Sequence, residues 1–236
     1  MFGRVVVVAA AAFVGCTGPD EVIPPVVLDA APIDVAEIDA PADARTDAPS
    51  DGRPALPDMV LMESLMTSSI QVQDVNFDAN SCELLEGCIG AAGSRRLLRF
   101  TTVTANMGNG DLYFGPPESN PLFTYSTCHG HYHFNGYASY ELVDNNSTVV
   151  TGHKQAFCLL DTLQVTPGAP GPYYTCANQG IGAGWADSYP NFLPCQWIDI
   201  TDVTPGNYTL RVKINPVMAF EETDYANNAL DIPVTF

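Results

Sequence analysis

Apolar and polar residues alternate, or apolar residues cluster in short runs, over Leu97–Thr104, Tyr137–Val143, Thr148–Leu160, Tyr208–Ile214 and Ala229–Phe236. A period of two places one set of side chains on each face of an extended chain, so these stretches predict β-strands. Turn-forming clusters separate them: Asn106-Met107-Gly108-Asn109-Gly110, Asp144-Asn145-Asn146, Pro167-Gly168, Pro205-Gly206-Asn207 and Asn227-Asn228, the last read as a hairpin turn. No 3.6-residue apolar stripe runs through this region, although Cys82 to Gly90 has room for one helical turn. The pattern predicts an all-β fold, an antiparallel β-sandwich. One long stretch, Pro167 to Pro194, is rich in Gly and aromatic residues and reads as irregular. Such a segment inside a compact domain is usually functional or pinned by disulfides.

Upstream of Met59 the pattern changes. Arg4 precedes an apolar run from Val5 to Val14, too short to span a bilayer permanently and of the length of a signal-peptide core. It ends in Phe13-Val14-Gly15-Cys16, similar to a bacterial lipobox, in which Cys16 becomes a lipidated N-terminus. Residues 17–57 are dominated by Asp, Ala and Pro. They lack the apolar surface needed to offset their ordering entropy and are expected to form a disordered tether. The expected organisation is therefore a signal peptide at 1–16, a tether at 17–57 and a folded domain at 58–236. The chain reads as an exported lipoprotein, anchored to a bacterial membrane in the periplasm or at the cell surface.

Composition sharpens this picture. Nine Lys and Arg stand against 27 Asp and Glu, which disfavours nucleic acid as a partner. From Met59 onward there are 17 acidic and six basic residues, so the domain alone carries a net charge of −11. An acidic shell suits protonated amines, or simply keeps a protein in solution. With Cys16 set aside, six cysteines remain, namely Cys82, Cys88, Cys128, Cys158, Cys176 and Cys195. An even count in an oxidising compartment implies disulfide staples, and spacing alone leaves 15 possible pairings.

Three of the four histidines fall in Cys128-His129-Gly130-His131-Tyr132-His133. On a strand, positions i, i+2 and i+4 share a face, so the three imidazoles can meet at one ion while Tyr132 points away. Spacing leaves zinc, copper, nickel and iron open. The fourth histidine, His153, precedes Lys154, one of only two lysines in the chain. A lysine there ordinarily keeps its amine in water. Burial near a metal would instead lower its pKa and make it nucleophilic.

The segments CHGHYH, GHKQAFCLLDT, YYTCANQGIGAGWADSYPNFLPCQWIDITDVTPGNYTLRVKINP and ETDYANN, together with RRLLRF upstream, closely resemble the catalytic domain of lysyl oxidases. The resemblance covers nearly all of Ser81 to Phe236. It implies copper on His129, His131 and His133, and a lysine tyrosylquinone made from Lys154 and Tyr189. The activity implied is oxidation of primary amines, as peptidyl lysine or small diamines, to aldehydes by molecular oxygen with release of hydrogen peroxide and ammonia. The family pattern also implies the disulfides Cys82–Cys88 and Cys128–Cys176.

The chain departs from that pattern in two places. Animal members carry a histidine, suggested as the base, just before the tyrosine matched by Tyr140; Ser139 stands here. His153 is then the candidate base among histidines, with aspartates such as Asp187 as alternatives. The partners expected for Cys158 and Cys195 are also missing, which leaves a Cys158–Cys195 bridge as the expectation for these two. Trp197 is expected in the core. Two further readings compete with the oxidase: a non-catalytic metal-binding sandwich on the cell surface, and a three-histidine zinc hydrolase. The hydrolase should show a carboxylate base close to the histidines, and the first one downstream is Glu141. Retention of Lys154 and Tyr189 alongside the histidines favours the oxidase over the binding module.

Overall fold

A computed structural model describes residues 54–134, 136–152 and 158–236. The signal-peptide and lipidation expectations at 1–16, and the tether as far as 53, lie outside the described residues, as do His153 and Lys154.

The described chain is all-β, and every strand pairing is antiparallel. One four-stranded sheet orders Ala229–Thr235, Asn207–Ile214, Ala138–Asp144 and Ser147–Gly152. Its register sets Leu210 opposite both Leu142 and Ile232, and Val212 opposite Tyr140, so one face is continuously apolar and buried. The facing sheet orders Met59–Leu61, Thr102–Asn106, Trp185–Tyr189 and Leu163–Gln164. Met59, Leu61 and Tyr189 from this sheet join Tyr140, Leu142, Leu210 and Val212 in a single core. Each fully buried aliphatic side chain of that core contributes about 1.5–3 kcal/mol.

A third sheet, Trp197–Asp199, Gly93–Arg99 and Gln71–Phe77, flanks this sandwich. It explains why the single strand expected at Leu97–Thr104 is two. Leu98 packs into the main core, while Leu97 packs on the other side with Phe77, Cys88, Cys195 and Trp197. With both faces covered, the apolar run carries no alternation to mark its end. The chain changes sheets at Phe100 and Thr101, where the Phe100 ring meets Tyr140 edge-on at 4.7 Å. Trp197 lies in the core as expected, donating its indole N–H to the Cys88 carbonyl under the Arg99 guanidinium.

Three other expectations are corrected. The stretch Pro167 to Pro194 is not irregular throughout, because Trp185–Tyr189 is an inner strand; Asp187 and Ser188 hide its period. Asn227 and Asn228 are not a tight hairpin turn. They close a 14-residue connection in which Asn215 and Asn228 donate to the buried carboxylate of Glu222, which also accepts the Met59 amide. Residues 54–57 are not part of a free tether. Leu56 exchanges hydrogen bonds with the Asn106–Gly110 turn, and a Cβ on Gly108 or Gly110 would fall 2.4 Å from the backbone of Leu56 or Ala55.

All three disulfides differ from those expected. Cys82 joins Cys128, Cys88 joins Cys195 and Cys158 joins Cys176. A short helix, Cys82–Leu85, is capped by Ser81, whose hydroxyl accepts the Leu84 amide. It sends Cys82 toward the histidine hairpin, while Cys88 enters the small core beside Cys195 and Trp197. A local Cys82–Cys88 bridge is thereby foreclosed. With Cys128 used, Cys176 pairs with Cys158, their Cα atoms 4.8 Å apart.

Candidate metal and tyrosine site

The hairpin Phe123–Ser126 and His131–Phe134 carries the histidines. Only His131 and His133 lie on the strand; His129 sits in the turn, where Gly130 adopts a positive φ of 69°. Convergence of the rings survives this difference, because the turn folds His129 back over the strand. The ring centroids are 4.8 Å apart for His131 and His133, 5.5 Å for His129 and His133, and 5.7 Å for His129 and His131. The Nε2 atoms of His131 and His133 approach to 3.1 Å. Two nitrogens each bound at about 2.0–2.1 Å to one ion have a spacing of this order.

The hydrogen bonding of the rings favours the same use. Nδ1 of His131 lies 3.0 Å from the His129 carbonyl, an arrangement that puts its proton there and leaves Nε2 with a lone pair. Burial first, then the neighbouring His133, pushes His131 down to about 4, so the ring is neutral near pH 7. Nδ1 of His129 lies 2.9 Å from a carboxylate oxygen of Glu86. Three imidazole nitrogens suit copper and, equally, zinc. The donor set therefore fits the copper that the sequence resemblance implies.

Tyr189 is 2% exposed and belongs to a buried polar layer between the two large sheets. Opposite Tyr189 in the register stands Thr102, and opposite Asp187 stands Thr104, so all four side chains share one face. The Tyr137 hydroxyl bonds Thr104 at 2.7 Å and the Tyr140 hydroxyl bonds Thr102 at 2.7 Å, while Gln196 donates to Tyr140 at 2.9 Å. Burial, followed by the charge of Asp187, drives the Tyr189 phenol well above its ordinary value and keeps it protonated. Its hydroxyl donates to the Cys158 carbonyl at 3.2 Å.

The segment after Cys158 is tightly held. Cys158 is bridged to Cys176, the Leu159 amide donates to Gln179, and Asp161 accepts amides from Tyr173 and Gly182. The segment before residue 153 is equally fixed. Gly152 pairs with Tyr140, and a Cβ there would lie 2.8 Å from Ile198 and 3.0 Å from the Trp197 carbonyl.

The structure thus brings together the three histidines, and separately Tyr189, Asp187 and Cys158. Ser139 pairs with Lys213 and alternates with buried Tyr140, which puts it on the sheet face turned away from Tyr189. A base at that position would not address this layer. Glu86, Gln196, Thr102 and Thr104 were not legible as site residues. Glu86 has only its place between two cysteines as a signal, and Gln196 only its place in the Cys195–Trp197 run.

A disulfide-stapled antiparallel domain that gathers three imidazoles and keeps a phenol in a buried polar layer has the donor chemistry of a candidate metal site. Comparison with known proteins gives the family. A sequence model described as lysyl oxidase matches residues 57–236. Lysyl oxidase homolog 3B of Danio rerio is 39% identical over 186 residues, covering 73% of this chain and 23% of the relative. Lysyl oxidase homologs 3 and 2 of Homo sapiens are 38% and 37% identical, with 73% and 74% of this chain and 24% of each relative covered. The chain belongs to the lysyl oxidase family, and it spans about a quarter of the length of these relatives.

Proposed function

We propose that this protein is a copper-dependent amine oxidase acting on primary amines, either peptidyl lysine or small diamines. Copper held by His129, His131 and His133, and a quinone formed from Lys154 and Tyr189, would supply the oxidation of R–CH2–NH2 with oxygen and water to the aldehyde, ammonia and hydrogen peroxide. The observation that carries this reading is the hydrogen bond from Tyr189 to the carbonyl of Cys158, four residues beyond Lys154. Gly152, two residues before Lys154, packs against Tyr140 in the same core. A chain advances at most about 3.3–3.6 Å per residue, so connectivity tethers Lys154 within about 7 Å of Gly152. An amine can add to an electron-poor ring once it is deprotonated, which a guanidinium does not permit.

Asp187 is the carboxylate nearest in sequence to Tyr189 and shares its inward face. In the proposed reaction it accepts the proton leaving the substrate α-carbon. Asp187→Asn is expected to lower kcat about 10²–10⁴-fold with little change in KM. If His153→Asn gives that loss and Asp187→Asn does not, the base is His153. The domain's net negative charge favours approach of ammonium groups, and its three disulfides accord with export. In the same reading the leading segment serves as a signal peptide, and Cys16 becomes the lipid anchor to the membrane.

The decisive experiment is purification of the exported protein with copper, followed by visible spectroscopy and peptide mass mapping. A quinone absorbance and a peptide cross-linked between Lys154 and Tyr189 are expected. Copper uptake with neither signal would reduce the protein to a metal-holding surface domain.

A further inference from the structure

Neither the copper ligands, the quinone residues nor the base accounts for Glu86, although it is half-buried at the histidine site. Its side chain is 13% exposed, and Oε2 lies 2.9 Å from Nδ1 of His129. Its other oxygen is bonded to the Ser126 hydroxyl, and that hydroxyl oxygen accepts the backbone N–H of His129 at 3.1 Å. Carboxylate, hydroxyl and histidine therefore form a closed set of contacts around one residue. Ligand atoms of Glu86, His129 and His133 lie within 4.8 Å of one another, as do those of Glu86, Cys88 and Cys195. The second set is already consumed by a disulfide. Both ends of the stretch 82–88 are covalently fixed, one to Cys128 next to His129 and the other to Cys195. Glu86 is held against the ring by construction.

We propose that Glu86 is a positioning residue of the metal centre: its carboxylate accepts a hydrogen bond from Nδ1–H of His129, fixing the tautomer and plane of that ring so that Nε2 is the atom offered to the ion. The inference rests on the copper reading above. His131 already has a backbone carbonyl for this purpose, supplied by His129. His129, in the turn rather than on the strand, is set against the Glu86 side chain instead. A carboxylate behind an imidazole also makes it a stronger donor, and losing such a partner typically costs 10–100-fold in metal affinity.

The test compares the full exported chain with its Glu86→Ala, Glu86→Gln and Ser126→Ala variants. Copper affinity is measured by chelator competition, the copper spectrum by electron paramagnetic resonance, and the His129 protonation site by nitrogen-15 resonance of the zinc-loaded protein. Glu86→Ala is expected to bind copper 10–100-fold more weakly with an altered spectrum. Glu86→Gln, whose amide oxygen still accepts the Nδ1–H hydrogen bond, should recover most of the affinity. Ser126→Ala leaves the carboxylate and all disulfides in place and should lose a few-fold, which separates positioning from misfolding. In the wild type, Nδ1 of His129 should carry a proton. The inference is overturned if Glu86→Ala binds copper as the wild type does with the same spectrum, or if Nδ1 is unprotonated and itself ligates. A wild type that takes up no copper defeats the copper reading as well, whereas wild type and Glu86→Ala taking it up alike defeat this inference alone.

Discussion

A Tyr189→Phe protein is expected to fold, to take up copper at its histidines and to oxidise no amine above background. The substitution removes one buried oxygen, the donor to the Cys158 carbonyl, and leaves the ring in the core. Leaving that acceptor unsatisfied costs about 1–3 kcal/mol, which a stapled domain tolerates. What disappears is the only oxygen from which a quinone at this ring can start, so activity should fall to the detection limit. Lys154→Arg should give the same phenotype from the other partner, since a guanidinium stays protonated. Oxygen uptake with a diamine, visible absorbance and bound copper check this together. Turnover within tenfold of the wild type in either variant would remove the quinone from the reaction.

The second large effect is on stability. Replacing Cys88 and Cys195 by Ser is expected to lower unfolding free energy by about 4–5 kcal/mol, read as a reduced midpoint in urea. Their bridge closes 107 residues, against 46 for Cys82–Cys128 and 18 for Cys158–Cys176, and the chain-entropy cost grows with loop length. It is also buried in the small core with Phe77, Leu97 and Trp197. Domains of this size are stable by about 5–15 kcal/mol, so the variant should sit near the edge of folding. A loss below about 1 kcal/mol would show that the denatured chain is already compact or that the small core holds unaided.

Much of this was legible in the amino-acid pattern because two simple regularities report directly on structure. Alternation located Asn207–Ile214 and Ala229–Thr235 to within a residue or two, since each has one buried face. It failed at Leu97 to Thr104 and at Trp185–Tyr189, where both faces are covered or polar side chains point inward. The three histidines were legible as a set because their spacing survives the change from strand to turn. The cysteine pairing was not, because six cysteines constrain one another only through the fold. The local Cys82–Cys88 reading was broken by a single helical turn. Glu86 was hidden for the same reason, since its neighbour His129 is 43 positions away and joined through the Cys82–Cys128 bridge.

Gly152 has a consequence that lists of reactive groups would overlook. Hemmed in by Ile198, the Trp197 carbonyl and Tyr140, it lies two positions before the lysine, and a Cβ there would crowd all three. A single methyl group there would act like a pebble under a lever, altering the direction in which the chain departs two residues ahead of the amine. Under the proposed function, Gly152→Ala would silence amine oxidation without touching a histidine, the phenol or a carboxylate.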